Sequence, residues 1–124
     1  MLTRIDSYRV TTLCRFDPEM IEKTRTRFNE TVRHLKEEKP EKYIGHIMIG
    51  YLGTTKPQEK QIGDRDISVC RLIWKIKGDP NVLDDFFNDW KMLDENPFYA
   101  FRVERDYSIS DIIWYMTLTE KEDL

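Results

Sequence analysis

Two stretches of the same layout decide the fold: residues 9–18, RVTTLCRFDP, and residues 71–80, RLIWKIKGDP. In each, β-branched, aromatic and aliphatic residues alternate with polar ones, which is typical of a half-buried strand. Each stretch ends on Asp-Pro, where Asp suits a helix N-cap and Pro suits the first helical position. The two Asp-Pro pairs lie 62 residues apart in a chain of 124. The layout therefore predicts a strand–helix unit that occurs twice.

Outward from these stretches, apolar periodicity predicts two helices and five strands. Apolar residues recur every three or four positions through residues 21–38 and 83–93, and a proline follows each run. Strands are predicted at residues 8–16, 43–52, 67–77, 98–106 and 112–118. The polar residues 53–66 are predicted to form a loop, which is longer than the usual hairpin connection.

The order of these elements predicts the fold class. It is strand–helix–strand–strand–helix–strand with one further strand, so we expect an α+β fold. Specifically, it predicts a ferredoxin-like βαββαβ sandwich with an extra C-terminal strand, in which an antiparallel sheet carries two helices on one face. The length suits one domain, and the repeated layout predicts two pseudo-repeat halves within it, about 1–62 and 63–124.

Composition narrows the class of protein. The chain is 40% hydrophobic with five glycines and five prolines, which is typical of a globular domain. It has neither an apolar run long enough to span a bilayer nor a basic-then-apolar leader, so we expect a cytoplasmic protein without a membrane partner. Ala100 is the only alanine, a bias that would suit an AT-rich genome and raises the hypothesis of a viral or phage accessory protein.

Cys14 and Cys70 fall within strand-like runs. Without a secretion signal they are predicted to be reduced core thiols. A disulfide between them stays open if their strands are neighbours.

Charge is unevenly distributed along the chain. The net charge is −3, which argues against nucleic acid as a partner. Residues 1–62 carry 12 basic and 9 acidic residues, whereas residues 63–124 carry 8 and 14. Asp84, Asp85 and Asp89 lie on the second predicted helix, either as a solvated face or as an acidic surface that meets a basic partner.

The strands are more apolar than two covering helices require. On the sheet face away from the helices, strand parity places these apolar residues: Leu13, Tyr43, Ile47, Ile49, Tyr51, Ile73, Ile113 and Tyr115. An exposed apolar surface of that size marks an interaction site. The simplest cover is a second copy, so a homodimer, or contact with another protein partner, is expected.

The sequence shows few signs of catalytic chemistry. Metal-ligand spacings, glycine-rich phosphate loops and nucleophile motifs are missing, so neither a cofactor nor a metal site is predicted. The order of elements resembles the dimeric α+β barrel proteins, and this resemblance implies a small apolar ligand near His46, Tyr51 and Trp74. His46 is otherwise predicted to be a core histidine.

The leading functional hypothesis is a small non-enzymatic binding or assembly protein that acts through protein–protein contacts. Its predicted contact residues are the three helix aspartates and three basic residues of the loop region: Asp84, Asp85, Asp89, Lys56, Lys60 and Arg65. One alternative is a small-ligand enzyme of the dimeric α+β barrel kind. The other is binding of single-stranded nucleic acid along a basic stripe on the sheet: Arg9, Arg15, Arg71, Lys75 and Lys77.

Overall fold

A computed structural model describes residues 5–93 and 96–106 of the chain. Their elements, in chain order, are β1 (Asp6–Arg15), α1 (Pro18–Glu38), α2 (Pro40–Tyr43), β2 (Ile47–Thr54), β3 (Gln58–Ile62), β4 (Arg65–Gly78), α3 (Pro80–Lys91) and β5 (Tyr99–Asp106). The strand predicted at residues 112–118, which includes Ile113 and Tyr115, lies outside the described residues.

The strands form one antiparallel sheet in the order β2-β4-β1-β5, and β3 pairs with β4 beyond the end of β2. With one helix after β1 and another after β4, this is the strand order of a βαββαβ sandwich. The predicted ferredoxin-like α+β fold is therefore confirmed. The division into two pseudo-repeat halves stays a prediction.

Both Asp-Pro pairs begin helices as predicted. Asp17 accepts a hydrogen bond from the backbone N–H of Met20 at 3.2 Å, and Asp79 accepts one from that of Asn81 at 2.9 Å. Caps of this kind contribute about 1 kcal/mol each. They place a helix directly after the end of each central strand.

The core lies between the sheet and the helices. Val10 of β1 and Leu72 of β4 are fully buried on the helix-facing side, and Trp74 stacks on Phe28 of α1 with ring centroids 3.8 Å apart. The other face of the sheet, away from the helices, is called the open face below.

The two cysteines lie opposite each other in β1 and β4. Cys14 is the register partner of Cys70, and both are buried and free. Burial, with a smaller contribution from the neighbouring Cys14, raises the pKa of the Cys70 thiol. The prediction of reduced core thiols is confirmed.

Strand β2 corrects the predicted parity. It begins at Ile47, because α2 includes Tyr43 and a turn follows it in which Gly45 has a φ of +82°. Ile49 is the register partner of Ile76, so it faces the helices. A one-residue change of register moves every side chain to the opposite face. The expectation that Tyr43, Ile47, Ile49 and Tyr51 lie on the open face is therefore wrong.

The structure of residues 53–66 also differs from the prediction of a loop. It contains β3, which forms a hairpin with β4 through a turn at Gly63, where φ is +64°. All five β3 residues are exposed. With neither face buried, β3 lacks the alternation of apolar and polar residues by which a strand is identified in sequence.

Candidate functional site

The open face of the sheet is strongly basic. The register places eight basic residues on it and two acidic ones, Glu104 and Asp106. These basic residues, called the basic face below, are Arg9, Arg15, Lys60, Arg65, Arg71, Lys75, Lys77 and Arg102. The face therefore has a charge opposite to that of the whole chain.

The register places all five residues of the predicted basic stripe on one face of the sheet, where Lys60 and Arg65 of the β3–β4 hairpin join them. Lys56 precedes β3 and is exposed in the connection from β2. Of the predicted open-face apolar residues, Leu13 and Ile73 do lie on this face and are partly buried.

Exposure differs along the basic face. Lys75 and Lys77 are only 1% and 2% exposed, and both interact with other groups of the chain. In contrast, Arg9 and Arg15 are exposed, and Arg71 is half-buried. In the described part of the chain, these three arginines form no ion pair.

Lys75 and Lys77 are buried within a single chain. The expected dimer drew on Tyr43, Ile47, Ile49 and Tyr51, all of which belong to the helix-facing side. Tyr43 and Ile47 are buried core residues, and Tyr51 packs near Trp74 with ring centroids 5.4 Å apart. Leu13 and Ile73 stay on the open face, and Ile113 and Tyr115 lie outside the described residues, so the dimer stays a prediction.

A groove of about 410 Å³ lies at the far end of the basic face, where β5 begins. Tyr99 is the register partner of Leu13, so Arg15 lies beyond the described β1–β5 pairing. The apolar walls are made chiefly by Leu13, Met20, Ile62, Ile67, Val69 and Tyr99. Arg15 and Arg27 also line this end groove, and no carboxylate is among its described lining residues.

The start of β5 is shaped by Ala100, the only alanine in the chain. Its φ of 48° lies in the left-handed region, next to the irregularity in the β1–β5 register. Residues other than glycine adopt this conformation at a cost of about 1 kcal/mol, and a small side chain limits the clash. The adjacent Tyr99 is 79% exposed at the groove. Sequence alternation alone gives no signal for this feature.

The aspartates of α3 are used within the chain. Asp84 accepts a hydrogen bond from Tyr8 Oη at 2.5 Å, and Asp85 pairs with Lys42 at 2.7 Å. Asp89 accepts hydrogen bonds from Lys39 Nζ at 2.9 Å and from Tyr43 Oη. These contacts connect α3 to β1 and α2. The role of the three aspartates in partner contacts stays a prediction.

Burial and hydrogen bonding shift the pKa values of Tyr8 and Asp89. Burial, together with the Asp84 hydrogen bond, raises the pKa of Tyr8 to about 12. For Asp89, burial alone would raise the pKa, but hydrogen bonds from Tyr43 and Lys39 outweigh it and the pKa falls below the usual range. Around neutral pH the Tyr8 phenol therefore stays a donor and the Asp89 carboxylate stays charged.

The predicted small-ligand residues do not form one pocket. His46 is exposed in the turn before β2, which corrects its prediction as a core histidine. Trp74 is buried against Phe28, while the Arg25 guanidinium lies over the Tyr51 ring at 4.1 Å. Burial raises the pKa of Tyr51, although Arg25 acts in the opposite direction.

A larger cavity, of about 740 Å³, lies between α3 and β5. Its lining includes Tyr8 and Asp84, which are bonded to each other, and the aromatic rings of Phe87, Trp90 and Phe101. Across the described ranges 5–93 and 96–106, no group of three or more His, Cys, Asp or Glu residues could hold a metal ion. The described helices include none long and apolar enough to cross a membrane.

Comparison with known proteins gives one informative result. No family model matches the chain, and no curated protein does. Among solved structures, the chain is similar to 30S ribosomal protein S6 from Thermotoga maritima, with 14% identity, a TM-score of 0.47 and coverage of 92% of this chain and 99% of that one. At this level the likeness concerns the fold and transfers no activity or binding residue.

The expectation that nucleic acid is disfavoured as a partner is corrected, because the fold gathers basic residues on one face of the sheet. That expectation used the net charge of −3 for the whole chain. The average was the wrong quantity, because the acidic and basic residues lie on different surfaces.

Proposed function

We propose that this protein is a non-enzymatic binding protein and that its basic face binds single-stranded nucleic acid. The observation that carries the proposal is the set of exposed arginines on the open face, Arg9, Arg15 and Arg102, in a chain whose net charge is negative. A surface lined by one sign of charge attracts a polyanion and speeds its encounter.

The availability of the arginines supports this assignment. Arg9 and Arg15 are exposed and form no ion pair with any described residue, so they can contact phosphates without first breaking an internal contact. Arg102 is 60% exposed and has only the surface pair with Glu104, at 3.4 Å. Surface pairs of this kind contribute between about 0 and 1 kcal/mol and are readily exchanged.

The flat form of the surface favours a single strand over a duplex. The exposed part of the face, around Arg9, Arg15 and Arg102, offers a surface along which an unpaired strand can lie with its bases accessible, whereas duplex recognition uses an element that enters a groove. We expect weak sequence preference, because phosphate contacts position a strand without reading its bases.

The test is fluorescence anisotropy with a labelled single-stranded oligonucleotide at low salt. The double variant Arg9→Ala/Arg102→Ala should bind at least about tenfold more weakly than the wild type, since each residue neutralises a phosphate. It should also reduce the slope of log K against log[salt] by about 1.4, because each phosphate of a single strand that is no longer neutralised changes the slope by about 0.7.

The matched control is Lys23→Ala/Arg33→Ala, which removes two exposed and ion-paired cations from the surface of α1. This control should bind as the wild type does, because its charges lie on the other side of the molecule. Equal losses of affinity in both double variants, or no binding by the wild type at low salt, would contradict the proposal.

A protein partner is the second candidate, and the observation that favours it is the hairpin edge. Among the described strands, β3 pairs only with β4, and all five of its residues are exposed. An edge of this kind can accept a strand from another protein. Lys60 and Arg65 on the same hairpin would then favour an acidic segment. Replacing Gln61 with Pro should weaken that contact if it uses the edge, and leave oligonucleotide binding unchanged.

A further inference from the structure

The end groove continues the basic face and adds an apolar component to it. Leu13 and Val69 belong both to the open face and to the groove wall, so the face and the groove are continuous and no described element separates them. We propose that the end groove holds one nucleotide of the bound nucleic acid, with its base against Tyr99 and its phosphate at Arg15 and Arg27. This inference rests on the proposed function.

Charge complementarity supports a phosphate-bearing occupant. Arg15 and Arg27 line the groove and are exposed, and neither has an ion pair among the described residues. No carboxylate is among the described lining residues. Guanidinium groups bind phosphate oxygens in a bidentate manner, which gives direction as well as attraction.

The apolar walls support a base as the other part of the occupant. Tyr99 is 79% exposed and Ile62 is 52% exposed, and both line the same groove. Large apolar side chains that meet at the rim of a groove are a stacking surface for a planar ring. A base stacked on an aromatic side chain is worth about 1–3 kcal/mol by alanine substitution, which is about 5- to 150-fold in affinity.

The volume agrees with this occupant. At about 410 Å³ the groove lies within the range of about 300–1,000 Å³ that is usual for small-ligand sites. An aromatic side chain from a peptide is the competing occupant of the apolar walls, and the experiment below separates the two.

The experiment measures oligonucleotide affinity against salt for groove variants. Tyr99→Ala should weaken binding by about tenfold at every salt concentration and leave the salt slope unchanged, because stacking involves no counterion release. Arg15→Ala/Arg27→Ala should instead reduce the slope by about 1.4. Tyr99→Phe should retain wild-type affinity, since it keeps the ring. The matched control is Phe16→Ala, which removes a 46% exposed aromatic residue outside the groove lining and should bind normally.

Thermal unfolding of each variant identifies any that fail to fold. If Tyr99→Ala is one of these, the comparison of Tyr99→Leu with Tyr99→Phe replaces it, and only the leucine variant should bind more weakly. Wild-type binding by Tyr99→Ala or Tyr99→Leu overturns this inference and leaves the basic face as the binding surface. If the wild type binds no oligonucleotide at low salt, the proposed function itself is wrong. Displacement of a bound oligonucleotide by an uncharged aromatic peptide would assign the groove to a protein partner and also overturn the inference.

Discussion

The acidic surface of α3 and the basic face of the sheet differ in how their charges are used. Asp84, Asp85 and Asp89 each have a partner within the chain, from β1 or from the segment around α2. Arg9 and Arg15 have no ion pair with any described residue. Both sets of charged residues can be recognised in the sequence, but only the structure shows which of them already have a partner within the chain.

A charged side chain that stabilises the fold differs from one that is available to a partner in the contacts it must give up before it binds. A carboxylate that already accepts hydrogen bonds must give them up, at a cost of about 1–3 kcal/mol each for charged groups, before it can bind elsewhere. An exposed arginine without an internal partner gives up only water. We therefore expect the α3 aspartates to contribute to stability and the basic face to contribute to binding, and both expectations can be tested.

The largest expected effect on stability is at Asp89. Asp89→Ala should lower the free energy of unfolding by about 2 kcal/mol, because it removes the hydrogen bonds from Lys39 and Tyr43 and leaves the Tyr43 hydroxyl without its acceptor. Urea unfolding monitored by circular dichroism measures this change.

Asp85 is the control on the same helix. Its pair with Lys42 is between side chains that are 47% and 42% exposed, so Asp85→Ala should change stability by less than about 1 kcal/mol. A loss of stability at Asp85 as large as that at Asp89 would mean that exposure does not separate the two carboxylates. If either variant weakened oligonucleotide binding while its fold stayed intact, the separation of roles would be wrong.

The contribution of Asp89 should depend on pH in a defined direction. Its pKa is lowered in the folded protein, so its stabilising effect is present above the unfolded value, about 3.9, and is lost as the pH falls through the lower folded value. The difference in unfolding free energy between the wild type and Asp89→Ala should therefore be constant near neutral pH and shrink at acid pH. A difference that grew as the pH fell would contradict the assigned cause.

The smallest effect is expected at Ala100. Ala100→Gly should stabilise the fold by about 0.5–1 kcal/mol, because glycine adopts the positive φ of this position without strain. Ala100→Val should act in the opposite direction, since a β-branched side chain clashes there. Thermal unfolding of the pair checks the sign, and a stabilising valine would show that the left-handed conformation is not what limits this site.

Local sequence patterns correctly predicted much of the fold. The Asp-Pro pairs predicted the starts of α1 and α3, and the alternation in β1 and β4 correctly placed Arg9, Arg15 and Arg71 on one face. These succeeded because caps and strand parity depend on neighbours in sequence. The predicted face of β2 was wrong because Ile47, Ile49 and Tyr51 alternate with the apolar residues Met48 and Leu52, so alternation does not show which set faces the helices.

The end groove could not be predicted in the same way. It brings together residues from β1, α1, the β3–β4 hairpin and the start of β5, so its existence depends on where each element ends. A fully exposed strand such as β3 has no hydrophobic pattern, and a polar sequence of this kind is read as a loop. The net charge led to a wrong prediction about nucleic acid for a related reason, because it averages over surfaces that the fold separates.

The most direct test of the account is chemical-shift mapping by NMR, in which a single-stranded oligonucleotide is added to isotope-labelled protein at low salt. The account predicts that backbone amide signals shift in β1, β4 and β5 around Arg9, Arg71 and Arg102, and that the signals of α3 stay in place. Shifts centred on α3, or no shifts on the sheet at saturating oligonucleotide, would contradict it.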